Sequence, residues 1–290
     1  MILKLSILLS IIFLGFGPKL SFALPSGVEL KKVFTFHEGV KDCRTKKCRN
    51  KNKLVVNYIK FNLKKLNPTV VSKTKRELPK ISFEGVSETG LEFLQRSEVD
   101  IAINANFFYP CCEERSEPKD LLGLVISEGN IISSPYKIKD EPCGKDCGKF
   151  SFIINFDKTM DILSALDLKD LSNIQTAVSG SHMLVNKSKV IKIKGAFSTE
   201  RHPRTVIGID KKSESLILVV FDGRQPGYSS GVTFEEASKW LIKLGAHKAL
   251  NLDGGGSSIM AIKDQFGKAK AFNSPSSLRL NGNHLGFRFL

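Results

Sequence analysis

The sequence predicts an α+β fold: a mixed or antiparallel β-sheet core with few helices, in a single domain. Three observations predict it. Short apolar runs rich in Val, Ile, Leu and Phe recur along the 290 residues, each closed by Gly, Pro, Asn, Asp or Ser. Helical periodicity is confined to three short segments. No repeat, low-complexity tract or linker divides the chain, and 41% hydrophobic residues supply ample core.

Residues 1–23 stand outside that fold. Lys4 precedes an apolar run over residues 5–16, and Ser21-Phe22-Ala23 fits a signal-peptidase site. The run is short for a bilayer span. A cleaved leader ending near Ala23 is therefore expected, with a secreted or periplasmic mature chain and no membrane span in it. Residues 24–53 are polar and basic and read as a surface approach. Residues 54–63 (LVVNYIKFNL) read as a strand, and residues 87–97 as a helix with Leu91 and Leu94 on one face. Strands follow at 99–108, 121–127 and 149–156, with a short helix or helical turn at 161–171. Further strands are expected at 177–185, 204–209 and 215–221.

Residues 233–244 (TFEEASKWLIKL) are the strongest helix. Thr233 and Glu236 form a capping box, Phe234, Ala237, Trp240, Leu241 and Leu244 make one apolar stripe, and Gly245 closes it. Strands resume at 249–252, 258–262 and 284–289. Residues 24–98 read as the N-terminal strand and helix region of the same domain.

Six cysteines, Cys43, Cys48, Cys111, Cys112, Cys143 and Cys147, follow the leader, so disulfides are expected, with the pairing open. Two close pairs could hold zinc, but their spacing is loose and the compartment oxidising. The formal charge is +15, and the leader carries only Lys4 and Lys19 of it. Such a surplus attracts polyanions. The lysines are scattered, with neither an aromatic-interleaved RNA-binding signature nor a recognition helix, so no specific nucleic-acid partner is expected. Phosphorylated glycans and anionic surface polymers fit such a surplus equally well. The sequence sets no oligomeric state.

The chemistry concentrates at strand ends. Asn251-Leu252-Asp253-Gly254-Gly255-Gly256-Ser257-Ser258 sets an acid, three glycines and two hydroxyls between apolar runs. Clustered glycines let backbone N–H groups approach an anion. The stretch is neither a P-loop nor a nucleophile elbow. A plain hairpin needs fewer special residues. Asn104 and Asn106 end one buried strand. Arg201-His202-Pro203-Arg204-Thr205 opens another, and arginine suits phosphate through planar paired donors. Asp222-Gly223-Arg224 closes a third. His37, His182, His247 and His284 lack metal-ligand spacing.

These four stretches, in this order, resemble the phosphodiester glycosidase family over about residues 99–290. IAINANFF is similar to the family's strand ending in Asn-Gly-x-Phe-Phe, with Ala105 in place of Gly. RHPRTVIGI resembles His-Pro-Arg-Thr-x-x-Gly, and VVFDGRQPGYSSGVTFEEAS resembles the Asp-Gly-Arg turn before a Gly-x-Thr helix. ALNLDGGGSSIM follows Asn-Leu-Asp-Gly-Gly-Gly-Ser-Ser closely. Ser179-Gly180-Ser181 and the run Asn281-Gly282-Asn283-His284-Leu285-Gly286 resemble weaker family positions.

The resemblance implies a secreted hydrolase that cuts the C1–O bond of a sugar carried on a phosphodiester, on cell-surface or exopolysaccharide-type glycans. A phosphate leaves readily as an anion and needs charge stabilisation more than a proton. On that reading Arg204, with Arg201, His202 and Thr205, holds the phosphate. The amides of Gly254, Gly255 and Gly256 and the hydroxyls of Ser257 and Ser258 add donors. Asp253 or Asp222 serves as base toward water or as nucleophile, and Asn104, Asn106 and Asn251 orient sugar hydroxyls. No cofactor or metal is required. Two other readings stay open: a non-catalytic phosphoglycan-binding module, and a metal-dependent phosphodiesterase with Asp222 and Asp253 on Ca²⁺ or Mg²⁺.

Overall fold

The computed structural model describes residues 24–37, 52–72, 84–111, 118–135 and 146–289. The leader at 1–23 lies outside them, as do Cys43, Cys48, Cys112 and Cys143. Cys111 and Cys147 lie inside, and neither is a free thiol. Among the described residues no helix is long and apolar enough to cross a membrane.

The architecture is mostly antiparallel β. A seven-stranded sheet runs in spatial order Glu29–Phe36, Lys53–Asn62, Ser215–Phe221, Arg204–Ile209, Lys248–Asn251, Met183–Asn186 and Lys189–Val190. Every neighbouring pair in it is antiparallel. A second sheet orders Met160–Ser164, Phe150–Asn155, Ile174–Gly180, Val125–Ser127 and Asn130–Ser133. A third orders Ala269–Ala271, Met260–Lys263, Ile101–Asn104, His284–Arg288 and Thr69–Val71. Gly85–Val86, Pro118–Leu121 and Phe108–Tyr109 make a small fourth. The described α-helices are Leu63–Leu66, Gly90–Arg96, Ala196–Thr199 and Phe234–Lys243.

All three large sheets face one core. Ile59, Phe61, Ile207, Leu216 and Leu218 of the first meet Phe152, Ile154, Ile162 and Val178 of the second. Ile101, Ile103, Met260, Leu285 and Phe287 of the third complete it. Strand periodicity explains the continuous apolar run of Ser215–Phe221. Leu216, Leu218 and Val220 enter this core, while Ile217, Val219 and Phe221 point to the opposite face. That face is covered by Phe234, Ala237 and Leu241 of Phe234–Lys243, with Trp240 partly buried against it. Both capping-box bonds form: Glu236 N donates to Thr233 Oγ1 at 3.1 Å, and Thr233 N donates to Glu236 Oε2 at 2.9 Å. Gly245 follows at φ +98°, where a side chain would be strained.

Several elements differ from expectation. The predicted helix at 161–171 is instead strand Met160–Ser164 followed by a turn. Alternation places Met160 and Ile162 in the shared core, and Leu168 folds back onto the sheet's other face. The basic approach at 24–53 contains strand Glu29–Phe36, paired along its length with Lys53–Asn62. Its polarity is that of an edge strand. The run 177–185 divides between two sheets, because the chain leaves the second at Gly180 and joins the first at Met183. A Cβ on Gly180 would run into the Asn251 carbonyl. The strand expected at 99–108 stops at Asn104, and the pair Phe108–Tyr109 belongs to the small sheet.

Leu241→Ala empties a fully buried position between helix and sheet. It should cost about 2–5 kcal/mol, and Thr233→Ala about 1 kcal/mol through the lost cap. Urea unfolding midpoints at unchanged m-value check both.

Candidate active site

The glycine stretch is no hairpin. Lys248–Asn251 ends in the seven-stranded sheet and Met260–Lys263 begins in the third, so residues 252–259 carry the chain from one sheet to the other. Within the crossover Gly255–Ser257 form a single 3-10 turn. Buried amides pin it. Asn104 Nδ2 donates to the Asp253 carbonyl at 2.7 Å, and Asn104 Oδ1 accepts from Ile259 N at 3.1 Å and Thr205 Oγ1 at 2.6 Å. Asp253 N donates to Ala105 O, and Leu252 N to Thr205 O, both at 3.0 Å. Asn104 and Thr205, expected to touch substrate, are thus struts of the crossover.

The three glycines make room. A Cβ on Gly254 would lie 3.0 Å from the Pro203 carbonyl oxygen. One on Gly255, which sits at φ +60°, would lie 3.1 Å from Arg224 Nη1. One on Gly256 would lie 2.8 Å from Arg279 Cζ. Two guanidinium groups therefore rest directly on the turn. Arg224 itself holds φ +57°, an uncommon backbone state for a long side chain. The expected nest of three free amides is not formed. Gly254 N donates to Asp253 Oδ1 at 2.8 Å and Gly255 N to Pro203 O at 2.8 Å, leaving Gly256 as the unengaged amide of the three among the described residues.

Asp253 and Asp222 differ sharply. Asp253 keeps part of its surface accessible but is packed round by protein atoms, and this desolvation pushes its carboxyl up to about 6. Ser257, the Gly254 amide and Arg279 oppose the rise. Asp222 is 1% exposed and saturated. Oδ1 accepts from Asn273 Nδ2 and Ser274 N, both at 3.0 Å, and Oδ2 accepts from Asn57 Nδ2 at 3.0 Å and Tyr228 Oη at 3.2 Å. Burial raises its carboxyl while the donors from Asn57, Asn273 and Ser274 pull it down. With four donors on two oxygens, Asp222 has no lone pair to give a water or a sugar carbon. It fastens the strand end to the 273–274 loop.

The arginines expected on the phosphate are spent elsewhere. Arg204 is 1% exposed and lies between rings, with its Cζ 4.1 Å from the Phe234 centroid and 4.9 Å from that of Phe197. Its Nε donates to Val232 O at 2.9 Å, and Nη2 donates to Phe197 O at 2.6 Å and Glu200 O at 3.1 Å. Burial, with Arg224 nearby, lowers its pKa to about 10, so it remains charged. Arg201 pairs with the Glu236 carboxylate at 2.7 Å and donates to Asn52 Oδ1 at 3.2 Å. His202 does reach the site. Its Nδ1 lies 3.2 Å from Arg224 Nη2 and its Nε2 3.3 Å from Glu200 Oε2. Arginine only donates, so Nδ1 accepts and the ring proton sits on Nε2. Burial, with Arg204 and Arg224, pulls the imidazole pKa down, and Glu200 opposes.

Asn106 is also structural. It accepts from Ser179 N at 3.0 Å and donates to Leu122 O at 3.1 Å. Asn251 donates to Ser181 Oγ at 3.0 Å and to Leu252 O at 2.8 Å, yet its Oδ1 has no partner. The Ser258 hydroxyl is likewise buried without a hydrogen bond, as is that of Ser257, which lies by the Asp253 carboxyl but outside hydrogen-bond geometry. Such atoms are costly unless something pairs with them. The structure therefore brings together Asp253, the glycine turn, His202 and two arginines, of which Arg224 was visible only as part of an acid–Gly–basic turn. Arg279 carried no sequence signal beyond preceding the Asn281–Gly286 run. Among the described residues no group of three or more His, Cys, Asp and Glu side chains is arranged to hold a metal ion.

Residues 97–288 match the phosphodiester glycosidase family model. The N-acetylglucosamine-1-phosphodiester alpha-N-acetylglucosaminidase of Bos taurus is 25% identical over 181 residues, and that of Mus musculus 26% over 172. The alignments cover 59% and 56% of this chain but 32% and 31% of the relatives, so the chain spans about a third of the length of the curated relatives it matches. The zebrafish catalytic domain of the same enzyme, solved auto-inhibited by its pro-peptide, superposes with a TM-score of 0.63 at 18% identity. That match covers 93% of this chain and 86% of the other. A hypothetical protein from Synechocystis superposes at 0.59 with 15% identity, covering 91% and 62%. At these identities the structural likeness is one of fold.

Two outcomes follow from this geometry. Arg204→Ala should lower stability by about 2–4 kcal/mol, since it orphans buried carbonyls, whereas Arg224→Ala should leave the urea midpoint nearly unchanged. Asp253 has a folded pKa above its ordinary 3.8, so its contribution to stability is full below pH 4 and is lost as pH rises through about 6. Asp253→Asn cannot ionise and still accepts from Gly254. It should exceed the parent in stability by about 1–3 kcal/mol at pH 8, converging toward pH 4, as read by denaturant melts across pH.

Proposed function

This chain belongs to the phosphodiester glycosidase family, and from that premise we propose that it hydrolyses the C1–O bond of a sugar joined through a phosphodiester. The products are free sugar and a phosphomonoester. The observation that carries the reading is Asp253, its carboxyl held near 6, beside a glycine turn on which Arg224 and Arg279 lie. The relatives' own name specifies an N-acetylglucosamine-1-phosphodiester, which makes that sugar the first substrate to try.

The residues divide the work. Arg224, oriented by neutral His202, and Arg279 take the phosphate oxygens and offset the charge that grows on the leaving group. The Gly256 amide adds one donor. Ionised Asp253 accepts a proton from water as the water oxygen bonds to C1. The C1–O pair departs onto the phosphate, which leaves as a phosphomonoester anion. No second carboxylic acid is needed, because this leaving group is stable unprotonated. The unpaired Asn251 Oδ1 and the Ser257 and Ser258 hydroxyls supply partners for sugar hydroxyls. We propose that no cofactor is required. The leader pattern supports a secreted or periplasmic setting, where disulfides persist.

The test is product identity. The purified chain is incubated with a panel of sugar-1-phosphodiesters and UDP-sugars, N-acetylglucosamine among them, and the products are separated. Free sugar is expected, with intact phosphomonoester from a phosphodiester and intact UDP from a UDP-sugar, and in ¹⁸O-labelled water the released phosphate should carry no label. Sugar 1-phosphate, or label in the phosphate, would mean P–O cleavage by a phosphodiesterase, and saturable binding without turnover would mean a binding module. Asp253→Asn should lower kcat by about 10²–10⁴, and Arg224→Ala or Arg279→Ala should each lower kcat/KM by about 10²–10³. Because Asp253 acts ionised, kcat should rise with pH through about 6 and then level, measured as initial rates from pH 4.5 to 8.

A further inference from the structure

A strip of side chains runs from Arg224 away from the glycine turn, and the hydrolysis above does not use its far end. His202 takes Arg224 Nη2 on one nitrogen. Its ring lies close to parallel with that of Phe197, 27° between planes and 6.0 Å between centroids. Phe197 is 43% exposed, one of nine large apolar side chains exposed on the described surface. It is also fixed. Its ring meets Phe234 edge to face at 5.5 Å, and the Arg204 guanidinium stands 4.9 Å from its centroid. Arg204 Nη2 donates to the Phe197 and Glu200 carbonyls, and Ser198 Oγ donates to Ile193 O at 3.0 Å and Gly195 O at 2.7 Å. A buried cation is thus spent on holding the short turn that presents this ring. Such pre-ordering suits a recognition surface, because little freedom remains to be lost on binding.

We propose that Phe197, with the His202 ring beside it, forms a subsite for the group on the far side of the phosphate, and that this group is planar and aromatic, as in a nucleoside 5′-phosphate. The inference rests on the reading that Arg224 holds the phosphate. The ring is 43% exposed and one side chain removed from that arginine, and an aromatic partner gains from either stacked or edge-to-face contact with such a ring. The strip presents few directional donors, so it selects for a ring and tolerates its identity.

The experiment is calorimetric titration of the full chain with uridine 5′-monophosphate and, separately, methyl phosphate. Wild type, Phe197→Ala, Phe197→Trp and Arg224→Ala are compared. Uridine monophosphate should bind wild type more tightly than methyl phosphate. Phe197→Ala should raise its Kd about tenfold, in the range a stacked base contributes, and leave methyl phosphate unmoved. Phe197→Trp should restore binding, while Arg224→Ala should weaken both ligands. The Phe197 carbonyl survives in both variants, so the turn keeps its anchor. In turnover, Phe197→Ala should raise KM about tenfold for the sugar 1-phosphate diester of uridine, with kcat within about twofold and the methyl phosphodiester of the same sugar unaffected. Equal or unmeasurable affinity of the two ligands for wild type, or a Phe197→Ala effect that is absent or the same for both, overturns the subsite. Phe197-dependent binding with no cleavage of any phosphodiester sustains the subsite and removes the hydrolytic reading. Cleavage indifferent to the aglycone does the reverse.

Discussion

The site depends on one buried amide. Asn104 ends the central strand of the third sheet and holds three parts of the molecule at once: the Asp253 carbonyl, the Ile259 amide and the Thr205 hydroxyl. Those contacts span the crossover between two sheets and the strand that opens after His-Pro-Arg. At 1% exposure none of them competes with bulk water, and leaving any one unmade would carry the full desolvation cost of a buried polar group. The crossover is therefore placed rigidly, and with it the acid and the three glycines. Pre-organisation of this kind lets charge be stabilised without rearrangement during reaction.

The four arginines near this crossover show how burial divides labour among identical side chains. Arg204 is enclosed by aromatic rings and backbone carbonyls, and Arg201 is locked to Glu236 at the helix N-terminus. Both are structural. Arg224 and Arg279 lie on bare glycine, where no Cβ separates them from the turn. The two acids divide in the same way. Asp222 answers four donors and acts as a fastener. Asp253 answers the Gly254 amide and keeps some accessible surface, so its carboxyl remains available and rises toward neutrality. In both pairs the hydrogen-bond partners, not the residue type, separate scaffold from chemistry.

His202 joins the two groups. It accepts from Arg224, faces Glu200 and leans on Phe197, whose turn Arg204 secures. The structural arginine thus supports the exposed one through a single imidazole and a short turn. The buried His284, held neutral by a pKa near 3, opens a strand of the third sheet opposite Asn104 and lies against Phe93 and Asn281.

The sequence alone determined the β-rich class, the capped helix at Phe234–Lys243, the special glycine turn with Asp253 in it, and the family. These are local properties: periodicity of two or 3.6, a cap at fixed offset, glycines clustered beyond what a turn needs. Only the tertiary structure decided which arginines face the turn, that Asp222, Asn104, Asn106 and Arg204 are struts, and that residues 252–259 cross between sheets. It also decided that 161–171 begins as a strand, because the partner that makes it one lies at Phe150–Asn155. Each of these depends on which distant group supplies a hydrogen-bond partner or a packing face. A guanidinium or carboxylate reads the same in one dimension whether carbonyls, rings or open space await it, and that environment exists only once the sheets have packed.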